Sequence, residues 1–397
     1  MIAYLTDIEG RWDKLESFTE GNPHVSLVDG SLRLADGVTF VFGGDAIDRG
    51  AHGRRIVALL LAARREYGER VVLLAGNRDI NKLRLRRELG GAPPEGTPDE
   101  VRKGARGDLL RWIFARTMGA TEAFAHRAAE LVAQGLDGGD EDVVQSYLDD
   151  LAQGGALRAY LEQCRLGFRS GSTLFVHGGV TLENFGVVPG LPERLPDVDS
   201  WVLGLNRFYA EEISAFASGV HPSALIAYQA PHPGTRSNQE SVVYARPTDE
   251  LGNPALPGEA AIARLRTSGV GRLVIGHTPS GDCPAIVRDG DFEMVLADNS
   301  YGRVERGSQL FLTDHHASVV ALTELDGGTL ASVDFTSDRR DLGSPLGRRD
   351  PRTGELVKAR LASGHYLLFR GLPDYRVQQT AASPEDVAVR PMTTARD

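Results

Sequence analysis

Acidic, amide and imidazole side chains recur at one kind of place in this 397-residue chain, directly after a short apolar run. "IAYLTD" leads to Asp7 and Glu9 in "TDIEG". "VTFVFGGD" ends on Asp45, and Asp48 and Arg49 follow in "GGDAIDRG". "RVVLLAGNRD" delivers Asn77 and Arg78. "STLFVHGG" delivers His177, "GRLVIGHT" His277, and "FEMVLADN" the stretch Asp298 to Tyr301. Carboxylates, an amide oxygen and imidazoles suit divalent cations such as manganese, iron, zinc or magnesium. A carboxylate between two such ions bridges them. Two ions ~3.5–4 Å apart can activate a water and hold a phosphoryl oxygen through an in-line displacement. The flanking glycines allow tight turns and close approach of the backbone to a ligand.

These residues lie far apart in sequence, so secondary structure must gather them. Each run is rich in Val, Leu, Ile or Phe and stops at glycine or a polar residue, which predicts a strand buried on both faces. Helical patterns such as "RRIVALLLAARREYG" and "AAIARLRTSG" lie between several of them. Strands alternating with helices predict an α/β core with parallel strands. Open α/β sheets bind ligands beyond the carboxyl ends of their strands, where all six sets of residues fall. Residues 80–168 read instead as amphipathic helices and are taken as a helical insertion. The Pro/Gly-rich stretch from "YQAPHPG" to "NPALPGE" reads as a long loop, of the kind that lines binding sites. After Gly307 come three antiparallel-type strands, placing the catalytic domain at 1–336. Residues 337–397 read as a charged linker and a C-terminal extension.

The formal net charge of −10 argues against general binding to nucleic acid or anionic membrane, since both require a basic footprint. No apolar run approaches the ~20 residues that span a bilayer. No basic region precedes an apolar segment at the start, so a secretory signal is not expected. Two cysteines, Cys164 and Cys283, build no disulfide framework and suggest a reducing, cytoplasmic setting.

The ordered motifs "TDIEG", "GGDAIDRG", "GNRD", "VHGG" and "GHTP" resemble those of the calcineurin-like metallophosphoesterases. The resemblance is closest to the branch holding the Ser/Thr phosphoprotein phosphatases and the diadenosine tetraphosphate hydrolases. "ADNSYG" is similar to that branch's last active-site strand and turn. The match follows motif order over the first 300 residues or so, leaving out the insertion and the tail. It implies a four-layer sandwich of two mixed β-sheets flanked by helices. It also implies two divalent ions, with manganese expected. Asp7 and Asp45 would hold the first. Asp45 would bridge to a second held by Asn77, His177 and His277. Asp48, Arg49 and Arg78 would be catalytic, with Arg49, Arg78 and Tyr301 on the substrate.

Two positions depart from the pattern. Glu9 stands where the family has a metal-binding histidine, and Arg78 where it has the histidine usually treated as general acid. Glu9 is expected to ligate the first metal, the competing reading being an ion pair with Arg11 or Arg78. Arg78 is expected on substrate phosphate, its competing role being a structural partner of Asp48 or Glu9. His221 or His232 could replace the missing acid. His52 and the pair His315–His316 read as surface residues, and Cys283 lacks a neighbouring base. The resulting expectation is a phosphohydrolase acting on an ester or anhydride by direct attack of a metal-bound hydroxide. A guanidinium keeps its proton, so the expected substrate is a nucleotide or small-molecule phosphate with a good leaving group. Two alternatives stay open: a Ser/Thr protein phosphatase, and a regulatory metal- or phosphate-binding protein without turnover.

Overall fold

The computed structural model describes residues 1–373 and 376–387. Two mixed sheets face one another. The first has six strands in the order Leu330–Asp338, His316–Glu324, Gln309–Leu312, Ile2–Leu5, Thr39–Phe42, Val71–Leu73. The second has five, in the order Gly167–Ser170, Thr173–Val176, Arg272–Pro279, Phe292–Asp298, Ala285–Asp289. The six apolar runs divide three and three between the sheets. In each sheet those three strands pair in parallel, and antiparallel strands flank them.

The runs are continuously apolar because each strand is covered on both faces. Along Thr39–Phe42, Phe40 and Phe42 pack with Ile56 and Leu60 of the helix Gly53–Tyr67, while Val41 turns the other way. Val41 joins Tyr4, Val72, Phe175, Val274 and Val295 in the layer between the sheets. The period-two alternation of side chains thus separates an inter-sheet core from two helix–sheet cores. The layers are helix, sheet, sheet and helix, the architecture expected from the motifs.

Within residues 80–168 lie helices at Asp99–Lys103, Arg106–Thr117, Ala123–Ala133, Asp140–Leu151 and Ala156–Gln163, and the strand Gly167–Ser170 begins before the end of that stretch. Within 337–397, expected to be a charged linker and a C-terminal extension, residues 356–382 carry regular structure. Strands Leu356–Arg360, Tyr366–Gly371 and Val377–Ala382 form a third, antiparallel sheet. Val357, Ala359 and Leu367 insert into the inter-sheet core, so this segment is part of the packed body. Its strands are short and follow a charged stretch, which hid the signal. The part of the tail beyond residue 387 lies outside the described residues. Both cysteines are buried and unpaired. Among the described residues, no helix is long and apolar enough to cross a membrane.

One buried ion cluster sets the register of the second sheet. Glu293 is the cross-strand partner of both Arg272 and Arg288. Its Oε1 accepts from Arg272 Nε at 2.7 Å and its Oε2 from Arg288 Nη2 at 2.8 Å. A one-residue slip would strand these charges in the core. Glu293→Ala should destabilise the fold by about 3–5 kcal/mol, because it leaves two buried guanidiniums without their anion. Denaturant unfolding measures this, and a loss within about 0.5 kcal/mol would place the cluster outside the register-setting contacts.

Candidate metal centre

Each parallel strand ends in a sharp turn, and the turns meet. Asp7 N–H donates to the Gly44 carbonyl at 3.0 Å and Glu9 N–H to that of Asp45 at 3.0 Å. These bonds lock the "TDIEG" and "GGDAIDRG" turns together. The geometry is strained. Among the described residues, six non-glycine residues have positive φ, and five are expected site residues: Asp7 (50°), Glu9 (48°), Asp45 (56°), Asp48 (113°) and His277 (57°). Such conformations cost roughly 1–3 kcal/mol each and persist only where the surroundings impose them. Gly44 shows how close the packing is. At φ +103°, a Cβ there would lie 2.6 Å from Gly76 N and 2.8 Å from His177 Nδ1.

Asp79, the last residue of "GNRD", acts as the clamp. Its carboxylate accepts from the N–H groups of Asp45 (2.9 Å), Ala46 (2.9 Å) and Gly76 (3.0 Å), joining the second and third turns. The sequence reading used this motif for Asn77 and Arg78 and missed Asp79, whose position in the motif was the available signal. It missed Lys82 as well. That residue is fully buried, and its Nζ donates to Asp48 Oδ2 at 2.6 Å and to the Arg78 carbonyl at 3.0 Å.

The histidine side of the site is assembled for a cation. Donor atoms of Asp45, His177 and His277 all lie within 4.8 Å of one another, and all three residues are buried. His177 Nδ1 contacts the Gly43 carbonyl at 2.8 Å, which turns Nε2 towards Asn77 Oδ1 (3.2 Å) and Asp45 Oδ1 (3.4 Å). An imidazole oriented by a carbonyl in this way is the usual support for a metal ligand. His277 Nε2 is buried without a hydrogen-bond partner. Burial lowers His177 to about 4 and pushes His277 well below the ordinary histidine value, with Arg246 adding to the latter. Both rings are therefore neutral, as ligation requires. These residues fit a divalent ion.

The carboxylate side is arranged differently. Glu9 Oε1 lies 2.5 Å from Arg78 Nε, and Oε2 lies 3.3 Å from Arg49 Nε. Arg78 Nε also stands 3.7 Å from Asp45 Oδ2, and Nη1 3.7 Å from Asp48 Oδ2. The two residues that depart from the family pattern thus pair with each other. Asp7 accepts the His277 N–H on both oxygens at 3.1 Å and the Thr6 hydroxyl at 2.5 Å. Burial raises Asp7 well above the carboxylate range, and Asp298 and Asp45 add to the rise. Burial raises Glu9 and Asp45 to about 7 against the pull of Arg78. Arg78 is held charged: burial works against it, but Glu9, Asp48 and Asp45 raise it above the ordinary arginine value. A fit of Glu9 to a metal would require breaking its contacts with two arginines.

Two of the expected catalytic residues, Asp48 and Arg49, are not among the residues that line the cavity. The Asp48 side chain is fully buried against Lys82, so it positions Arg78 and does not face the cavity. The Arg49 guanidinium lies 3.9 Å from the Tyr301 ring centroid and 3.3 Å from Glu9 Oε2, between two residues that line the cavity. The cavity, about 340 Å³, opens over Asp7, Asp45, Asn77, Arg78 and His277. Arg84 and Arg116 of the helical insertion wall one side. Pro231, Tyr244 and Arg246 of the polar loop wall another, and Tyr301 a third. Tyr244 and Arg246 were not singled out from the sequence, because the loop's composition marks a region and no residue. Neither His221 nor His232 lines the cavity. His52 packs against Trp12.

Removing one member of the Glu9–Arg78 pair should be costly. Arg78→Met leaves Glu9 buried, and we expect a loss of about 3–5 kcal/mol. Glu9→Gln with Arg78→Met should lose clearly less than the two single changes added together. Denaturant unfolding of all four proteins closes the cycle, and simple additivity would show that the pair is uncoupled.

No protein-family model matches the chain, and no curated protein matches it. Among solved structures, the chain is similar to a cold-active protein-tyrosine phosphatase of the psychrophile Shewanella sp., with 17% identity and a TM-score of 0.47, covering 83% of this chain and 79% of that one. A second structure of a cold-active protein tyrosine phosphatase gives 18% identity and a TM-score of 0.45, covering 84% and 78%. A protein serine/threonine phosphatase from Saccharomyces cerevisiae, described as similar to human phosphatase PP5, gives 12% and 0.36, covering 85% and 79%. At these identities and scores, the chemistry of the present site rests on its own residues.

Proposed function

We propose that the chain is a metal-dependent phosphohydrolase acting on a small phosphorylated molecule or nucleotide. The observation that carries this reading is the convergence of Asp45, His177 and His277, with the unpartnered His277 Nε2 among them, where Asp45 and His277 line an arginine-walled cavity. Asp45, Asn77, His177 and His277 would hold a divalent ion, and this mixed nitrogen and oxygen set suits manganese. When bound, the ion supplies Lewis-acid polarisation of a phosphoryl oxygen and acidifies water.

The remaining roles belong to the chain's own side chains. Arg78 faces the cavity with its guanidinium fixed by Glu9 and Asp48, so it can orient a phosphoryl group and offset developing negative charge. Arg84, Arg116 and Arg246 add positive charge along the walls. Walls built from the insertion and the polar loop favour a small ligand over a flat protein surface, which supports this reading above the protein-phosphatase one. We place the protein in the cytoplasm, in keeping with its two unpaired cysteines.

Hydrolysis of an aryl phosphate in the presence of manganese tests the activity. Asp45→Asn should reduce it by more than about 100-fold, since it removes the central anion of the site. Near-wild-type turnover in that variant would remove Asp45 from the machinery. Inactivity of the wild type on aryl phosphates and on a nucleotide panel, with every divalent metal tried, would favour a binding protein without turnover.

Leaving-group dependence tests the substrate class. Among the described residues, the one histidine that lines the cavity with Arg78 is His277, which this reading assigns to the ion, and a guanidinium cannot serve as a general acid. Proton donation is typically worth about 10²–10⁴ in rate, so alkyl monoesters should be poor substrates and anhydrides or aryl esters good ones. Rates over esters of graded leaving-group pKa should fall steeply for wild type and less steeply for Arg78→His. A shallow dependence in wild type would identify another proton donor.

A further inference from the structure

We propose that the Arg78 guanidinium stands in place of the first of the two cations implied by the motifs, so that the chain binds one divalent ion and not two. This rests on the metal-dependent reading above and narrows it. The Arg78 side chain replaces the expected histidine and reaches back to Glu9, which replaces the other one. Both oxygens of Glu9 are engaged by guanidiniums, at 2.5 Å by Arg78 and 3.3 Å by Arg49. Arg78 also faces Asp45 Oδ2 at 3.7 Å and Asp48 Oδ2 at 3.7 Å, and its backbone N–H donates to Asp45 Oδ1 at 2.9 Å. One fixed positive charge therefore sits among three carboxylates, two of which a first metal ion would need.

The donor atoms agree. Among the described residues, ligating side chains converge within 4.8 Å only at Asp45, His177 and His277; Asp7 and Glu9 stand outside that group. Asp7 is turned to the His277 backbone and the Thr6 hydroxyl. A divalent ion at Glu9 would have to displace guanidiniums that cannot deprotonate, and it would then sit beside their charge. Arg78 has no easy exit, because its side chain is only 10% exposed and its departure would leave Glu9 and Asp48 less compensated. The guanidinium meets the electrostatic need of a first cation while keeping N–H groups directed at the cavity.

Stoichiometry decides this without reference to turnover. The full-length chain is stripped with chelator and titrated with manganese by calorimetry. The bound metal is then counted by elemental analysis after desalting. We expect one equivalent per chain, with the hyperfine spectrum of an isolated manganese ion. Glu9→His with Arg78→His should gain a second equivalent and the spectrum of an exchange-coupled pair. His277→Ala, which leaves Glu9 and Arg78 untouched, should lose the single equivalent. Two equivalents in wild type would overturn the inference and leave the phosphohydrolase reading standing. One equivalent retained in His277→Ala would also overturn it, by placing the ion elsewhere. No bound manganese in wild type would overturn both. One equivalent in wild type without hydrolysis of any phosphate would support the inference and sink the catalytic reading alone.

Discussion

Four carboxylates, those of Asp7, Glu9, Asp45 and Asp48, are buried together where two sheets present the ends of their central strands. Burial and mutual repulsion both push such groups towards protonation, which is the direction seen for Asp7, Glu9 and Asp45. Much of the local structure answers that pressure. Arg78 and Arg49 face Glu9, Lys82 faces Asp48, and backbone N–H groups serve Asp7 and Asp45. Lys82 is itself fully buried, so the site balances one desolvated charge with another. His277 Nε2 remains buried without a hydrogen-bond partner beside Asp45 and His177, and that is where a cation fits.

The backbone carries a matching load. Asp7, Glu9, Asp45, Asp48 and His277 all adopt left-handed conformations, which side chains other than glycine disfavour. The strain buys direction: each strand turns away at once, and its side chain is left pointing across the sheet ends. Asp79 makes this durable by accepting three N–H groups from two turns. The inter-sheet core beneath, with Val41, Val72 and Val274, holds the strand ends at fixed separation. Site geometry is thus a property of two sheets packed face to face and belongs to no single motif.

Much of this was legible in the sequence because burial on both faces leaves a plain mark. Runs such as "VTFVF" and "RLVIG" are apolar without alternation, and the chemistry-bearing residues follow them at once. The sheet formed by Leu356–Arg360, Tyr366–Gly371 and Val377–Ala382 left no such mark, since its strands are short and carry polar or charged residues such as Lys358, Arg370 and Gln379. Lys82 was illegible for another reason, since a buried lysine looks like any surface charge until its neighbours are known, whereas Asp79 was marked only by its place in "GNRD". Tyr244 and Arg246 came from a loop whose composition announces only irregularity. Glu9 and Arg78 were legible as departures from a pattern, and an ion pair between them was one reading. The distances supply the decision: Arg78 is nearer to Glu9 than to any other carboxylate.

Those two departures are best understood as one. A glutamate alone in the place of a ligating histidine adds a buried negative charge to a site already rich in them. An arginine alone in the place of a proton donor adds a buried cation that cannot titrate. Either change by itself would leave a desolvated charge without its nearest partner, a cost of several kcal/mol. Together they cancel, and the pair brings a planar donor group to the edge of the cavity beside Asp45 and His277. The exchange has a chemical consequence. A histidine there can pass a proton, whereas a guanidinium can only hold charge and donate hydrogen bonds. The site thereby loses proton transfer at that position and gains a permanent electrostatic clamp. Under the phosphohydrolase reading proposed above, this balance suits a substrate whose leaving group departs as a stable anion.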